Sequence, residues 1–400
     1  MKRKSLISSA LALLLVSTGI FPSVGHAVIY QPPADKIKLT DIDTLNSSYS
    51  SANSINNQGQ IVGQIYDTSM YGPSRSFLYG DSGIKLLETT SGDSAANSIN
   101  DAGQIVGWST SSNGLKMSYI IDKGTYSILP QLLDSIVPEQ CANFINNKGQ
   151  SVGYFMTSDS KYHAILWNDA KTAKIPYYNT TGFANSINSK GIIAGQFTTE
   201  SGENHACIWD NDKLTDLGTL GGKESCALDI NDSGMVVGYS TTADGKNHAF
   251  LWKDGKLNDL GTLGGDSSNA LAINSLGEIV GSSQTASGET HAFFYSYGIT
   301  TDLGTLGGKE SVAYDINDQE QIVGASITNT GLTHAFLATR IVMGDLNGDR
   351  AVTSIDVSLL KRYILGITTK INIDAADMNG DGKINSLDYV LLKKRLMYVN

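Results

Sequence analysis

One phrase of sequence recurs seven times in the chain, and this periodicity limits the folds that are open to it. The phrase is Ile-Asn, with an apolar residue seven positions after the Ile and a Gly directly behind it. The Ile-Asn pairs begin at positions 55, 99, 145, 187, 230, 273 and 316, so that successive copies lie 42 to 46 residues apart. A repeat of this length predicts an array of similar units that bury their apolar faces against one another.

Each copy predicts an antiparallel meander of four short strands, a to d. In the seventh copy, strands a to c are predicted at 312–317, 321–326 and 334–337, and strand d is seen at 300–304 in the unit before. Apolar and β-branched alternation favours these strands. Asn, Asp and Gly between strands a and b, and Asp254-Gly255 between strands c and d, are typical of tight turns. Glu320 replaces Gly in the seventh copy, so we expect that hairpin to turn differently.

The two ends of the array indicate how it closes. Residues 37–45 match the strand d phrase at 213–220, so the array begins one strand out of phase. The last copy ends at strand c, and the strand that it lacks is the one supplied at the start. This permutation predicts an all-β, seven-bladed β-propeller whose N-terminal strand closes the last blade. A linear solenoid is the alternative, but no polar capping units appear at its ends.

Charge and processing signals narrow the functional classes. Residues 28–340 contain 18 basic and 32 acidic side chains, a formal charge of −14, which disfavours a nucleic-acid partner. A basic start, an apolar stretch at 6–21 and a small-residue exit predict a secretory signal peptide at 1–27. No other stretch reaches membrane-spanning length. Cys141, Cys207 and Cys226 allow at most one disulfide, and buried free thiols are the favoured interpretation.

A His-Ala-Phe triplet marks strand c. It stands at 248, 291 and 334 and is weaker at 163 and 205. This wording resembles a family of extracellular repeats named for the triplet, over most of residues 37–338, and the resemblance implies no known reaction. Since the five His occupy one repeat position, we predict a structural role for them, such as a hydrogen bond between blades.

Catalytic residues stay unknown, because none of the common nucleophile, zinc or phosphate-loop motifs is found. Residues that differ between repeats are where a grafted site is expected. Directly after the repeat Gly, three copies carry an aromatic residue that would stack on a sugar ring: Trp108, Tyr154 and Tyr239. Aromatic residues in strands more often belong to the core, and this is the alternative interpretation. If the three residues do stack on sugars, plant cell-wall polysaccharide is the candidate partner.

Two loops rich in Asp and Asn, at 345–356 and 377–388, carry oxygen side chains at positions 1, 3, 5 and 12. This is EF-hand spacing and predicts two Ca²⁺ ions. The predicted metal residues, including two that would act through a carbonyl and one through water, are Asp345, Asn347, Asp349, Ala351, Thr353, Asp356, Asp377, Asn379, Asp381, Lys383, Asn385 and Asp388. Position 12 is Asp instead of Glu. Arg350 occupies position 6, where Gly is usual, and predicts a strained first site.

A predicted amphipathic helix follows each loop. The apolar faces are predicted from Leu359, Leu360, Ile364, Leu391, Leu392 and Leu396. The duplicated loop and helix over residues 344–398 resemble the type I dockerin family, which implies docking onto a cohesin domain of a scaffoldin in the cellulosomes of anaerobic bacteria. Carried over by position, the cohesin-binding residues are Ser354, Ile355, Lys361, Arg362, Ser386, Leu387, Lys393 and Lys394. Near-twofold symmetry suggests that either half docks.

Three segments are therefore expected: a signal peptide at 1–27, the propeller at 28–340 and a small all-α, calcium-binding dockerin at 341–400. The favoured function is that of a secreted, cell-surface cellulosome component. The ligand of its propeller is unknown, and a carbohydrate-binding or purely architectural ring is a further interpretation. The alternative is a polysaccharide-degrading enzyme, a glycoside hydrolase or lyase, because most dockerins are fused to such enzymes.

Overall fold

The computed structural model describes residues 36–399 except 44, 46, 67–71, 91, 132–138, 158, 169–171, 175–180, 212 and 369. The predicted signal peptide lies outside the described residues. The described part of the chain forms two compact units, one ending at Ile341 and the other beginning at Val342.

The first unit consists of antiparallel strands that follow one another in short hairpins. Its first thirteen strands are β1 (Lys36–Asp41), β2 (Tyr49–Ile55), β3 (Ile61–Tyr66), β4 (Ser74–Gly80), β5 (Gly83–Leu86), β6 (Ser94–Ile99), β7 (Ile105–Thr110), β8 (Lys116–Asp122), β9 (Thr125–Ile128), β10 (Gln140–Ile145), β11 (Ser151–Met156), β12 (Tyr162–Asn168) and β13 (Thr172–Lys174). The others are β14 (Gly182–Ile187), β15 (Ile193–Thr198), β16 (Asn204–Asp210), β17 (Lys213–Gly218), β18 (Gly221–Ile230), β19 (Val236–Thr242), β20 (Asn247–Lys253), β21 (Lys256–Asp259), β22 (Gly264–Ile273), β23 (Ile279–Thr285), β24 (Thr290–Ser296), β25 (Ile299–Gly304), β26 (Gly307–Ile316), β27 (Ile322–Thr328) and β28 (Thr333–Ile341).

Five of the sheets resolved in the described residues have four strands each, in chain order from β6–β9 to β22–β25. An eight-stranded sheet completes the set, in the order β26-β27-β28-β2-β3-β4-β5 with β1 on β28. It consists of two four-stranded meanders that meet at one parallel bridge between Tyr49 and Thr333. The predicted four-strand unit is therefore confirmed, with strand a of the seventh copy beginning earlier than expected.

The N-terminal strand supplies the fourth strand of the last meander, as its phase predicts. β1 pairs antiparallel with β28 from Lys36 opposite Ile341 to Asp41 opposite Phe336. The side chains reproduce the pairing of an ordinary unit as well. His334 Nδ1 lies 2.7 Å from Asp41 Oδ2, matching the 2.8 Å between His291 Nδ1 and Asp302 Oδ2.

Apolar side chains of neighbouring sheets interlock to form the core. One cluster combines Ala194 and Ala206 of one sheet with Ala227, Ile230 and Phe250 of the next, all buried. Such a sheet is covered on both faces, so its stability depends on its neighbours.

The repeat Gly is required by close backbone approach. A Cβ built on Gly107 would stand 2.0 Å from the carbonyl oxygen of Ala95, a distance at which the strands would have to separate. The same clash, at 1.8 to 1.9 Å, recurs at Gly63, Gly153, Gly195, Gly238, Gly281 and Gly324. The Gly therefore lets strands a and b of each unit pair closely.

The repeat Asn has two tasks. Asn56 Oδ1 accepts hydrogen bonds from the backbone N–H groups of Gln58 and Gln60, which fixes the turn after strand a. Its Nδ2 donates to the carbonyl of Asn100 in the next copy at 3.1 Å. Equivalent bonds of 2.9 to 3.2 Å run from 100 to 146, 146 to 188, 188 to 231, 231 to 274, 274 to 317 and 317 back to 56.

Two local expectations were wrong. Glu320 takes the left-handed conformation of the Gly that it replaces, with φ 55°, so its hairpin turns like the others. Its carboxylate pairs with Arg340 at 3.0 Å. The repeat His residues do not bond between sheets in the four pairs resolved among the described residues, because each contacts an Asp on the adjacent strand of its own meander.

The second unit contains, among its described residues, the helices α1 (Ser354–Ile364), α2 (Ile373–Ala376) and α3 (Ser386–Val399). Its core comprises the buried side chains of Leu346, Leu360, Ala376, Met378 and Leu392. The predicted apolar stripe is correct for Leu360 and Leu392 but wrong for Ile364, which is 37% exposed. Within the described residues, no helix is both long and apolar enough to cross a membrane.

Candidate functional site

The first acidic loop of the second unit is folded around its own backbone amides. The Asp345 carboxylate accepts hydrogen bonds from the N–H groups of Gly348 and Arg350, both at 2.8 Å. Asp349 Oδ1 accepts from the N–H of Ala351 at 2.9 Å. These bonds bend the loop into the compact coil that the predicted ligand positions require.

The second loop repeats this geometry position by position. Asp377 accepts hydrogen bonds from the N–H groups of Gly380 at 2.8 Å and Gly382 at 2.9 Å. Asp381 Oδ1 accepts from Lys383 N–H at 2.8 Å, and the Asn379 side chain, which donates to Asp381, lowers the pKa of that carboxyl. The duplication seen in the sequence is therefore a duplication of local structure.

The sixth loop position differs between the two copies as expected. Arg350 has φ 65° and Gly382 has φ 78°, so both take the left-handed conformation. Only Gly adopts it without steric cost. The backbone of the first loop is therefore strained where the second is not.

Position 12 of each loop joins the loop to the helix that follows. Asp356 is fully buried, and its two oxygens accept from Leu346 N–H and Thr353 N–H at 2.9 and 2.8 Å. Asp388, also fully buried, does the same for Met378 and Asn385. One carboxylate thus fixes both the entry of the loop and the first turn of the helix.

The donor set fits a hard divalent cation such as Ca²⁺. The predicted ligands offer only carboxylate, amide, hydroxyl and carbonyl oxygens, the atoms that Ca²⁺ prefers. Among the described residues, no group of three or more His, Cys, Asp or Glu side chains converges on one point. A cation in either loop would therefore need the Asn side chains and the carbonyl of Ala351 or Lys383 as well.

The predicted cohesin-binding residues share one environment. All of them are exposed on α1 or α3: Ser354, Ile355, Lys361, Arg362, Ser386, Leu387, Lys393 and Lys394. Ile355 is 57% exposed and Leu387 is 49% exposed, so both aliphatic side chains are accessible to a partner. Leu360 and Leu392 lie in one core cluster beneath them. The second unit thus presents two equivalent polar and apolar patches.

The three predicted sugar-stacking residues are all half-buried but differ in their contacts. Lys116 Nζ lies 4.3 Å from the ring centroid of Trp108. Tyr239 contacts Cys226, and burial raises its pKa to about 12. Tyr154 packs edge-on against Tyr162 and Phe183, at centroid distances of 5.4 and 5.1 Å.

The sequence reasoning missed Tyr162 and Phe183. Both line a cavity between the β10–β13 sheet and the β14–β17 sheet, and both contact the ring of Tyr154. A comparison of every repeat position, rather than the position after the Gly alone, would have revealed them as aromatic exceptions.

A second cavity, of about 180 Å³, lies where the repeat Ile-Asn turns converge. Asp229 and Asp315 line it, and both have elevated pKa values because burial disfavours their charged forms. Each also has a structural task. Asp229 accepts from Ile273 N–H at 2.8 Å and Asp315 from Ile55 N–H at 2.9 Å, so each bonds to the next repeat. Ser54 and Ser98 make the same kind of bond to the repeats that follow them.

Comparison with protein families decides the nature of the second unit. Residues 343–397 match the model of the Dockerin type I domain. The second unit is a type I dockerin. The resemblance inferred from the sequence is thereby confirmed for this unit, and the dockerin identity implies a calcium-binding domain that binds a cohesin.

A search of curated proteins finds no match to the chain. Among solved structures, the β-propeller domain of the Trilobed protease from Pyrococcus furiosus is similar with 8% identity and a TM-score of 0.53, over 73% of this chain and 97% of that one. The Pyrococcus horikoshii acylaminoacyl peptidase matches with 11% identity and a TM-score of 0.50, over 80% of this chain and 55% of the other. At these identities the likeness shows the fold alone: the first unit has a β-propeller fold.

Proposed function

We propose that the protein is a secreted cellulosome component that docks through its dockerin onto a cohesin domain of a scaffoldin. The match over residues 343–397 carries this proposal. The exposed pairs Ser354-Ile355 and Ser386-Leu387 support it, because they occupy equivalent helix starts and provide polar and apolar contacts in both halves. Secretion follows from the predicted signal peptide at 1–27.

Two Ca²⁺ ions, one in each loop, are part of this proposal. When bound, they would neutralise the clustered carboxylates of Asp345 and Asp349 in one loop and Asp377 and Asp381 in the other. The chain's own contribution is to transmit loop order to the docking helices. Asp356 and Asp388 perform this task, since each bonds to the loop entry and to the residue before the helix.

For the first unit, we propose a closed propeller of seven blades, of the His-Ala-Phe repeat type, with a carbohydrate-binding role toward plant cell-wall polysaccharide. The chain of Asn bonds that returns from Asn317 to Asn56 supports closure. The pairing of His334 with Asp41 supports it too, because it makes the last meander equivalent to the others.

Capture on an immobilised cohesin tests the docking proposal. The full chain should bind in millimolar Ca²⁺ and elute with a chelator. The double variant Asp345→Ala and Asp377→Ala should lose capture, because each Asp organises its loop through two backbone amides. The matched control is Asp159→Ala, which removes an exposed carboxylate in the first unit. Capture that survives the chelator would refute the proposal.

Incubation of the full chain with plant polysaccharides separates a binder from an enzyme. Retention without release of reducing ends is the expected result. Release of sugar would favour the alternative, a polysaccharide-degrading enzyme, and would leave the docking result unchanged.

A further inference from the structure

The cavity between the β10–β13 and β14–β17 sheets has the features of a ligand site. It encloses about 240 Å³ and is open to solvent. This volume is slightly below the range of about 300 to 1,000 Å³ that is usual for drug-sized ligands, so it suits a single ring. The lining residues are Ser160, Lys161, Tyr162, Thr181, Gly182, Phe183, Gln196, Thr198 and Asn204. We refer to the space that these residues line as the seam cavity.

Two aromatic rings form the apolar wall of the seam cavity. The ring centroids of Tyr162 and Phe183 lie 5.0 Å apart with 33° between the ring planes, so the two rings are stacked at a tilt. Tyr154 meets both rings edge-on and fixes their orientation. A wall of this kind matches the apolar C–H face of a sugar ring, which combines hydrophobic and weakly polarised contacts.

The repeat does not require these aromatic side chains. At the position of Tyr162, the other copies carry Ser74, Lys116, Asn204, Asn247, Thr290 and Thr333, as the strand registers show. At the position of Phe183, the others carry Ser51, Ala95, Cys141, Cys226, Asn269 and Val312. Sheet packing is therefore satisfied without a ring at either position. Two aromatic exceptions at one seam indicate a local function.

Polar groups face the aromatic wall. Thr181 donates to Thr198 at 2.7 Å, and Thr198 donates to Asn204 Oδ1 at 3.1 Å. In this series of hydrogen bonds Asn204 accepts through Oδ1, which leaves its amide N–H groups as donors. The Gln196 side chain also lines the cavity, and a carboxamide provides both a donor and an acceptor. Sugar hydroxyls require such mixed donors and acceptors.

The charge of the seam cavity favours a neutral ligand. Lys161 is its one charged lining residue among those described, and its ammonium group lies 3.0 Å from the Asp159 carboxylate. The opposite charges of Lys161 and Asp159 cancel at the rim of the cavity, so a carboxylate or phosphate ligand is not strongly attracted.

We propose that the seam cavity binds one pyranose ring of a neutral polysaccharide, with its C–H face on Tyr162 and Phe183 and its hydroxyls on Gln196 and Asn204. This inference rests on the carbohydrate-binding role proposed for the propeller and names the site and ligand class for that role. It replaces the three separate stacking positions with one aromatic cluster that includes Tyr154.

Calorimetric titration of the full chain with xylohexaose, cellohexaose and mannohexaose tests the proposal. At least one of these should bind. Tyr162→Asn and Phe183→Ala should each weaken that binding by about tenfold, because each removes an aromatic contact. Both substitutions install a residue that another repeat uses at the same position, so the fold should be kept. Gln196→Ser, which installs the residue that another repeat carries at Ser282, should weaken binding by about fivefold without touching the aromatic wall.

Tyr297→Asn is the matched control, since it removes a fully exposed aromatic ring from a distant hairpin and should leave binding unchanged. Absence of binding to all three oligosaccharides at millimolar concentration would overturn the proposal. Wild-type affinity in all three seam variants would overturn it as well, as would a loss confined to Tyr297→Asn. Cohesin capture, measured on the same samples, reports separately on the docking function.

Discussion

The two units of this chain are stabilised by different kinds of interaction. In the propeller, each sheet is buried between neighbours, and the bonds from Asn56 around to Asn317 return to their start. In the dockerin, five buried apolar side chains form the core, and two acidic loops precede the long helices. The propeller gains stability from repetition, whereas the dockerin is too small to bury much apolar surface.

The two units should therefore differ in whether they need an external ligand to fold. The carboxylates of Asp345 and Asp377 repel the acidic groups around them unless a cation is present, whereas no comparable loop supports the sheets described for the propeller. Dependence on metal is therefore expected in one unit and independence in the other.

Chelation should produce the largest effect and should be confined to the dockerin. Ca²⁺ at a hundred times the Kd stabilises a folded unit by about 2.7 kcal/mol per site, so two sites supply about 5 kcal/mol. Excess EDTA should remove the helical circular dichroism of α1 and α3 and leave the β-sheet signal unchanged. Hydrogen exchange resolved by segment measures both units in one sample.

Mg²⁺ in place of Ca²⁺ is the control, since its smaller radius and strict octahedral preference suit these loops poorly. An EDTA-induced loss of hydrogen-exchange protection in the sheets would contradict this prediction, because the propeller would then also depend on metal.

Burial raises the pKa of two carboxyl groups in the propeller, Asp229 and Asp315, and both should contribute to its pH dependence. For Asp315, burial and then the nearby charge of Asp229 raise the pKa to about 7. The folded state then holds a proton that the unfolded state releases near pH 4, so stability falls as pH rises from about 4 to about 7 and is flat above. Since 1.36 kcal/mol corresponds to one pKa unit, the loss has an upper bound of about 4 kcal/mol.

Asp315→Ser should reduce this dependence to the part that Asp229 contributes, and the fold should be kept because Ser occupies the same repeat position at 54, 98 and 186. Urea unfolding of the propeller at pH 4 to 8 provides the measurement. Ala272→Ser places a hydroxyl at that position without a carboxylate to remove, and it should keep the wild-type slope. An unchanged slope in Asp315→Ser would exclude this Asp as its origin.

The bond from Asn317 back to Asn56, which joins the last copy of the repeat to the first, can be tested at a single residue. Asn317→Ala removes the bond to Asn56 and the three bonds that hold its own turn, and we expect a loss of about 3 kcal/mol. Asn146→Ala, which removes the same four bonds from the middle of the array, should cost the same amount. Denaturant unfolding compares the two variants. A markedly smaller loss of stability for Asn317→Ala would indicate that the bond between the last and first copies contributes little.

Much of the propeller was predictable from residues that the repeat itself requires. The phrase fixes strand positions because its Asn makes the turn and its Gly permits close pairing, and the phase of residues 37–45 predicts the β1–β28 pair. The partner of each His was not predictable from the repeat alone. His291 and Asp302 are eleven residues apart, and only the register of β24 on β25 brings them together.

The candidate sites show the same division. The loop ligands were predictable because EF-hand spacing is local in sequence. The seam cavity was not, because Tyr162 and Phe183 come from different copies and meet only when two sheets pack. Likewise, the burial of Asp315 depends on the convergence of all the repeats around one cavity.

The smallest effect separates the two halves of the dockerin itself. Arg350→Gly should relieve the left-handed backbone at position 6 of the first loop, a gain of about 1 kcal/mol at most, or about fivefold tighter Ca²⁺ binding at that site. The N–H bond to Asp345 is kept, since Gly retains the donor. Gly382→Arg is the reciprocal change and should weaken the second site by a similar factor. Calorimetric Ca²⁺ titration resolves the two affinities, and they should converge in the first variant and exchange order in the double variant. Equal affinities already present in the wild-type chain would mean that the strain at Arg350 is absorbed elsewhere in the loop.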